Sequence, residues 1–407
     1  MLLKSLRKYR FSIVVSLLGL LFVVGGIYVY RDQTSTIIGS PSPVPTSTDI
    51  GISTSTASST TMSSTSTPIK RPPIVVGSTG AVGHAAGMAV GSQLYGLSDD
   101  ALNKEIAGIA ATGATWVRFD VEWGHVQYSS PNTFDWSVYD RIANAITAHN
   151  LKALGIITYT PMWARAPDCG GGAHCPPQDP ATYATFAAEV AAHYAPMGLH
   201  YWEIWNEEND YDFWATKSDC VAYTATLKAA YTAIKKADPN AFVITGGLAQ
   251  VGTTNVNIAP LTFLQCIYTQ GGKGYFDAVA DHPYTFPALP SSNSTNAWAQ
   301  MSLTSPSVRS IMVANGDANK KVWMTEFGVP TNGPDPNWYV SEASQTIMVA
   351  DTFQLYKTYS WAGPLFWYSY IDGWTATSSN ENFFGLVRYD GSTKPAYSMF
   401  QSMVAGL

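Results

Sequence analysis

Tyr201-Trp-Glu-Ile-Trp-Asn-Glu-Glu-Asn-Asp210 is the stretch from which the predicted fold follows. Its aromatic and β-branched first half is typical of a buried strand. Four consecutive amides and carboxylates come directly after it: Asn206, Glu207, Glu208 and Asn209. Carboxylates are seldom buried unless they are paired or functional, and parallel barrels carry their chemistry at the carboxyl ends of the strands. The stretch therefore predicts a strand that ends in a functional site.

On both sides of this strand, short apolar segments alternate with longer helical patterns. The predicted strands span residues 87–91, 115–120, 152–160, 201–205, 241–246, 276–280, 321–325 and 364–368. The predicted helices span residues 99–112, 136–149, 183–194, 219–237, 261–268, 307–314, 342–360 and 395–404. This alternation indicates a parallel sheet with right-handed crossovers, and eight such units predict an α/β fold, the (β/α)8 TIM barrel. A doubly wound open sheet is the alternative, but no glycine-rich phosphate loop follows an early strand.

The N-terminal residues differ in composition from the rest of the chain, which has 407 residues. Phe11–Tyr30 is an uncharged, mostly apolar run that is long enough to span a bilayer. Basic residues precede it, so the positive-inside rule places the remainder of the chain outside the cytoplasm. A cleaved signal peptide is the alternative, although its apolar core is usually shorter, about 7–15 residues. We therefore expect a cytoplasmic basic tail and a transmembrane anchor over residues 1–32.

Residues 33–80 are rich in Ser, Thr and Pro and contain little that could form a core. This composition predicts a flexible linker, with O-glycosylation as an additional feature that would suit it. Residues 81–407 then form the predicted barrel domain. The charged residues are only 13% of the chain and its formal net charge is −6. Because nucleic-acid binding normally requires a basic face, we expect no nucleic-acid partner.

All four cysteines lie in the predicted barrel domain. An even number of cysteines in an exported domain predicts disulfide bonds. Cys169 and Cys175 flank a short loop that could close on itself, which leaves Cys220 and Cys266 as the second pair. A zinc site formed by Cys169, His174 and Cys175 is the alternative, but the spacing fits no common zinc pattern. We expect no metal and no cofactor.

Two carboxylates stand out at the predicted strand ends: Glu207 after the fourth strand and Glu326 after the seventh. In an eight-stranded barrel these two strand ends face each other across the mouth. Hydrolysis of a glycosidic bond needs such a pair, because one carboxyl group protonates the departing oxygen while the other supports or traps the sugar carbon. Arg118 and His282, at other strand ends, could keep one of them ionised. Aromatic side chains at the rim suit sugars, whose C–H faces pack on aromatic rings.

Several short motifs occur in order at these strand ends. They are Trp205-Asn206-Glu207, His282-x-Tyr284, Trp323-x-Thr325-Glu326-Phe327-Gly328, Trp367, and the closing segment from Asn382-Phe383-Phe384-Gly385-Leu386-Val387 to Lys394-Pro395-Ala396-Tyr397. Together they resemble the clan A retaining glycoside hydrolases, most closely family 39 and the cellulase-like family 5. The resemblance covers nearly all of residues 85–407.

The resemblance implies that Glu207 is the acid/base and Glu326 the nucleophile. Tyr284 would contact the nucleophile, Arg118 would support it electrostatically, and Trp367 would form the floor of a sugar subsite. The complete set of expected substrate-binding residues is Arg118, Asn206, His282, Tyr284, Trp163 and Trp367. Asn206 would bind the sugar hydroxyl next to the reacting carbon. For Trp163, packing within the protein is the alternative to binding a sugar.

The chain departs from the family pattern in two places. Glu208 occupies the position where the family usually has proline. We assign the chemistry to Glu207 because it follows Asn206, and the alternation of side chains along a strand predicts that only one of the two glutamates faces inward. By the same alternation, Glu203 is expected to make a buried structural contact. Family 39 xylosidases often continue into a β-sandwich, whereas this chain ends with the eighth helix; we therefore expect an open cleft and endo action.

The sequence thus predicts a monomeric, membrane-anchored, extracytoplasmic glycosidase that cleaves a β-linked oligo- or polysaccharide with retention. The two carboxyl groups are expected about 5–5.5 Å apart, the separation typical of retaining enzymes. One alternative is a non-catalytic surface protein that binds glycans in the same cleft, for which the carboxylate pair would not be needed. Another is a transglycosylase that uses the same residues with a sugar acceptor in place of water.

Overall fold

A computed structural model describes residues 82–170 and 172–407. The predicted anchor over residues 1–32 and the linker over residues 33–80 lie outside the described residues. Within the described part of the chain, no helix combines the length and the apolar character that crossing a bilayer would require.

Eight parallel strands close into a barrel in which each strand pairs with its neighbours in sequence and the eighth pairs with the first. The strands are β1 Ala86–Gly91, β2 Trp116–Glu122, β3 Lys152–Thr158, β4 Tyr201–Ile204, β5 Phe242–Thr245, β6 Ala278–Asp281, β7 Lys321–Phe327 and β8 Ala362–Tyr368. This order confirms the predicted TIM barrel.

One main helix follows each strand on the outside of the barrel. These helices are α1 Asp99–Ala111, α2 Ser137–Ala148, α3 Pro180–Tyr194, α4 Cys220–Ala237, α5 Pro260–Thr269, α6 Val308–Ala314, α7 Glu342–Tyr356 and α8 Pro395–Val404. Two further helices, Trp123–Val126 and Ala297–Ser302, lie in the loops after β2 and β6. Short 3-10 turns occupy Met162–Ala164, Ala195–Met197, Pro290–Ser292, Pro336–Trp338 and Asn380–Phe383.

All eight predicted strands and main helices occur, with differences at their ends. The largest lies at α7, which ends at Tyr356 rather than at residue 360. β7 runs two residues beyond the predicted end, so Glu326 belongs to the strand itself. Its pairing with β8 shifts register between Met324 and Phe327. Such an irregularity lets neighbouring residues of one strand face the same side, and both Thr325 and Glu326 make contacts inside the barrel.

Large rings fill the amino end of the barrel. We call this cluster the aromatic plug; it consists of Trp116, Phe242, Trp323 and Phe366, each at most 5% exposed. The Trp323 ring stacks on Phe242 at 5.5 Å between centroids and meets Trp116 edge-on at 5.4 Å. Gly363 admits the Trp323 ring, since a Cβ there would lie 2.4 Å from it. The polar strand ends are consequently confined to the opposite, carboxyl end.

Two disulfide bonds stabilise the outer parts of the domain. One joins Cys169 to Cys175 and closes the loop after β3. The other joins Cys220, at the start of α4, to Cys266 in α5. Disulfides form and persist in oxidising compartments, so both bonds suggest an extracytoplasmic location for this domain.

Candidate active site

The backbone after β4 turns sharply and thereby separates the two adjacent glutamates. Trp205 and Glu207 both have positive φ, at 71° and 51°. Non-glycine residues rarely adopt this left-handed conformation, which is costly and is often found at functional sites. The Glu207 N–H donates to the Gly247 carbonyl at 3.1 Å and fixes the turn. Glu207 consequently lines the cleft at 15% exposure, whereas Glu208 is fully buried.

Glu326 faces the same cleft from β7, with its side chain 17% exposed. Arg118 Nη1 donates to its Oε1 at 2.5 Å, and the Tyr284 hydroxyl donates to its Oε2 at 2.9 Å. Burial acts to raise the pKa of this carboxyl group, but the charges of His282 and Arg118 and the two hydrogen bonds outweigh it. The net result is a lowered pKa, so Glu326 is held ionised.

Arg118 is fully buried beneath Glu326 and links it to Glu203. Its Nε donates to Glu203 Oε2 at 2.6 Å and its Nη2 to Glu203 Oε1 at 3.1 Å. Glu203 also accepts from the Gly247 N–H at 2.9 Å and from Thr325 Oγ1 at 3.0 Å. A buried carboxylate needs such partners, and the expectation that Glu203 makes a buried structural contact is confirmed.

His282 connects the acid/base candidate to the same network. Thr325 Oγ1 donates to Glu203, so it accepts from His282 Nε2, 3.0 Å away. His282 Nδ1 and Glu207 Oε1 lie 2.9 Å apart and share a proton. Burial raises the pKa of Glu207, aided by the nearby charge of Glu326 and opposed by His282. Burial also acts to lower the pKa of His282, but the charges of Glu326 and Glu207 and the Glu207 hydrogen bond reverse this and raise it.

The two candidate catalytic carboxyl groups lie close together across the barrel mouth. A Glu207 oxygen, a Glu326 oxygen and a His282 nitrogen all lie within 4.8 Å of one another. Two carboxylates and an imidazole at this distance could also ligate a cation, and no other such group occurs among the described residues. The Arg118 guanidinium touching Glu326 would repel a cation there.

The cleft around these residues has a volume of about 560 Å³. Its lining includes five carboxylate side chains and no lysine, arginine or histidine among the described residues. The acids are Asp120, Glu207, Asp210, Glu326 and Glu381. Burial raises the pKa of Asp120 to about 7, with the Arg118 charge opposing the effect.

Sequence reasoning did not assign several of these cleft residues. They are Asp120, Asp210, Phe213, Gln250, Trp338, Tyr368 and Glu381. Asp120 could have been found, because it lies two residues after Arg118 on the same strand and thus points to the same side. Glu381 accepts from the Tyr368 hydroxyl at 3.0 Å, but it lies in the long loop after β8 and no local pattern marks it.

The structure contradicts the expected position of Trp367. Its side chain is 1% exposed and packs edge-on against Phe327 at 6.0 Å between centroids, outside the barrel wall. Phe366 and Tyr368 on either side of it point into the barrel. Trp367 therefore does not form the cleft floor, and Tyr368 is the β8 aromatic residue that lines the cleft.

Trp163 also lies outside the cleft. It occupies the short turn after β3, where its Nε1 donates to the Gln127 carbonyl at 2.8 Å and its ring meets Trp123 edge-on at 5.5 Å. The ring borders a separate surface cavity instead. Trp163 therefore does not line the cleft, and its contacts fit the packing alternative. The other expected residues, Arg118, Asn206, His282 and Tyr284, do meet at the carboxylate pair.

Glu208 packs away from the cleft beside Gly246, where a Cβ would strike its carboxyl group at 1.9 Å. Neither carboxyl oxygen makes a hydrogen bond of ordinary geometry among the described residues. Burial raises its pKa well above the usual range. Burial therefore favours the neutral form of this acid next to Glu207.

Comparison with known proteins extends these observations. The family model for Cellulase (glycosyl hydrolase family 5) matches residues 79–368. A search of curated proteins found no match.

Several solved structures share the fold. A family 39 glycoside hydrolase from Bacteroides cellulosilyticus WH2 has 22% identity and a TM-score of 0.63, covering 79% of this chain and 63% of that one. A monomeric β-xylosidase from Caulobacter crescentus CB15 has 17% identity and a TM-score of 0.59, covering 81% and 69%. A GH5_18 protein from Streptomyces cattleya, in complex with GlcNAc, has 14% identity and a TM-score of 0.60, covering 80% of each chain. At these identities the likeness shows a shared fold, and the chain spans under two thirds of the first of these structures.

Proposed function

Because this chain belongs to glycosyl hydrolase family 5, the cellulase family of clan A, we propose that it cleaves β-linked glycans with retention of configuration. One observation carries the proposal: a carboxyl oxygen of Glu207 and one of Glu326 lie within 4.8 Å of each other. The pKa values of the two groups are also shifted in opposite directions. Retaining enzymes keep the two groups about 5–5.5 Å apart, whereas inverting enzymes leave about 6.5–9.5 Å for a water molecule. A purely glycan-binding protein would not need two carboxyl groups whose pKa values are shifted in opposite directions.

The reaction proceeds in two displacements. In the first, a Glu326 oxygen attacks the anomeric carbon, the bond to the leaving oxygen breaks, and the Glu207 proton passes to that oxygen. In the second, water attacks the same carbon, its proton passes to Glu207, and the bond to Glu326 breaks. Two inversions give net retention.

The neighbouring side chains support this cycle. Arg118 and Tyr284 hold opposite oxygens of Glu326 and stabilise its negative charge. Asn206 Oδ1 accepts from Arg118 Nη2 at 2.8 Å, so its Nδ2 remains available to donate to a sugar hydroxyl. His282 shares a proton with Glu207 and steadies it through its two protonation states.

The substrate is an uncharged β-glycan in this proposal. Among the described residues, no cationic side chain lines the cleft to pair with a carboxylate on a sugar, whereas Glu326 is held ionised and would repel one. Aromatic rings flank the carboxylate pair on the loops after β4 and β7, at Phe213 and Trp338. Rings on both sides suit sugar units on both sides of the cleaved bond, which supports endo action. Analysis of early products from a polysaccharide tests this: oligosaccharides are expected, and monosaccharide alone would contradict it.

The stereochemical mechanism is tested by NMR of the first-formed anomer and by azide rescue. Glu207→Ala with azide is expected to give a β-glycosyl azide, and Glu326→Gly with azide an α-glycosyl azide. Glu208→Gln is the matched control, because this neighbouring acid is buried away from the cleft. An α-anomer as the first product, or turnover by Glu326→Gln comparable to the parent, would reject the mechanism. A transglycosylase would instead give longer products when acceptor sugars are added.

The domain arrangement is part of the same proposal: an anchor over residues 1–32, a linker over 33–80 and the catalytic domain over 81–407. The two disulfide bonds support an extracytoplasmic catalytic domain. Membrane fractionation and protease accessibility of intact cells test it. The full chain is expected to sediment with membranes and its barrel to be accessible from outside, whereas a soluble full-length chain would contradict the anchor.

A further inference from the structure

Two tryptophans of the described domain are more than half exposed. Trp338 is 56% exposed and lines the cleft, whereas Trp374 is 52% exposed and lies outside it. Tryptophan is usually buried for most of its surface, and exposed aromatic surface often marks a binding site. Trp374 has an exposed partner: the Tyr389 ring, 46% exposed, lies 4.9 Å away at an interplanar angle of 72°.

These two rings border a surface cavity of about 330 Å³ that also contains polar groups. Asn332 uses its Oδ1 to accept from the Gly333 N–H, and its Nδ2 makes no hydrogen bond among the described residues. Arg388 is held in place by two hydrogen bonds to Glu342, at 2.8 and 2.6 Å. The cavity thus offers ring faces and fixed polar groups together, which is the combination that sugar rings require.

Buried contacts hold the cavity floor. Lys394 and Asp372 form an ion pair of 2.7 Å that is almost completely buried, and Lys394 also donates to the Phe383 carbonyl at 3.0 Å. These contacts fix both ends of the loop after β8. A fixed platform binds a ligand with less loss of conformational freedom than a mobile one.

The same two loops border both the cleft and this cavity. The loop after β7 gives Trp338 to the cleft and Asn332 to the cavity. The loop after β8 gives Glu381 to the cleft and Trp374 to the cavity. The loops are joined, since Asn380 Nδ2 donates to the Trp338 carbonyl at 2.7 Å. The loops that border the cleft therefore also carry the second pair of exposed rings.

We propose that the Trp374–Tyr389 cavity is a second glycan-binding site, which holds an uncharged polysaccharide strand near the cleft without taking part in the chemistry. The proposal rests on the proposed function for the identity of its ligand. Its effect is to raise the local concentration of the polymer at the cleft. Short substrates that occupy the cleft alone gain nothing from it.

The test separates binding from turnover by using the full-length Glu326→Gln protein as the parent. Gel electrophoresis through soluble β-glucan, xylan or glucomannan measures retardation by each polymer. Adding Trp374→Ala and Tyr389→Ala is expected to weaken the binding of the polymer that retards the parent most by about tenfold, because both ring faces are lost. The control is Tyr128→Ala, a side chain that is 74% exposed on the loop after β2 and is expected to change nothing.

In the active protein, the same two substitutions are expected to lower kcat/KM on the polymer while leaving kcat/KM on an aryl glycoside unchanged. Unchanged retardation of the double variant, equal loss in the Tyr128 control, or a parent retarded by no polymer would each overturn the second site. Absence of hydrolysis would reject the proposed function alone, because retardation that depends on Trp374 and Tyr389 does not require turnover.

Discussion

Arg118 touches both Glu203 and Glu326, and we expect its loss to have two separable effects. Arg118→Met leaves two carboxyl groups without their cation. Glu203→Gln in the same chain removes the charge of Glu203 but keeps an oxygen that can accept from Gly247 and Thr325. Comparing Arg118→Met, Glu203→Gln and the double variant therefore distinguishes the cost of an unpaired buried charge from the effect on the nucleophile.

The magnitude follows from the geometry. Arg118 Nη1 lies 2.5 Å from Glu326 Oε1, and the centres of the two charges are about 4 Å apart. At an effective dielectric constant of about 20 this attraction is about 4 kcal/mol. His282 remains beside Glu326 and water can enter, so the acid limb of the kcat/KM profile is expected to move up by about one to two pH units in Arg118→Met. Breaking the buried pair is expected to lower the free energy of unfolding by about 3–5 kcal/mol.

The assay measures kcat/KM against pH on an aryl glycoside and unfolding by denaturant for all four proteins. The double variant is expected to regain part of the lost stability, because Glu203 no longer carries an unpaired charge. Its acid limb should stay displaced, because Glu326 still lacks Arg118. An acid limb that does not move in Arg118→Met, or that returns to its original position in the double variant, would refute the electrostatic role.

Three further outcomes follow from the site. Burial raises the pKa of Asp281 to about 7 from about 3.9 in the unfolded chain, so the free energy of unfolding falls as the pH rises between these two values. Above about pH 7, Asp281→Asn should therefore be more stable than the parent by up to about 4 kcal/mol. Asp168→Asn, at an exposed position, should show no such gain. Above about pH 7, where Asp120 is ionised, Asp120→Asn should raise kcat/KM on a β-glucuronide relative to the matching β-glucoside by about tenfold at low salt, because it removes a repelling charge. A ratio that does not change above about pH 7 would contradict the charge argument. Tyr284→Phe removes the hydrogen bond that lowers the pKa of Glu326, so its acid limb should move up by less than one pH unit, measured by the same kcat/KM profiles.

The fold could be predicted from the sequence because each strand and helix is marked by a hydrophobic pattern within its own residues. Each strand and each following helix carries its own hydrophobic pattern, and eight repeats of that pattern leave few alternatives. Glu207 and Glu326 could be selected because each lies at the carboxyl end of a largely buried strand: Glu207 follows β4, and Glu326 is the next-to-last residue of β7.

The positions that could not be predicted depend on backbone details or on long loops. Alternation alone cannot place Glu207 and Glu208, because Trp205 and Glu207 both adopt positive φ. The direction of Trp367 is set by the way β8 pairs with β1 and by the inward Phe366 and Tyr368. Glu381 reaches the cleft only through the loop after β8, and nothing in its local sequence encodes that path.

Because the aromatic plug closes the amino end of the barrel, the bound substrate itself controls how much solvent reaches the catalytic carboxyl groups. With the amino end of the barrel filled by rings, solvent meets Glu207 from the cleft. A sugar that fills the cleft displaces that solvent and lowers the polarisability of the surroundings. Burial already raises the pKa of Glu207, so a bound sugar should raise this pKa further. Glu207 then holds its proton most firmly when a leaving oxygen is present to receive it. The alkaline limb of kcat should accordingly lie at higher pH than the alkaline limb of kcat/KM.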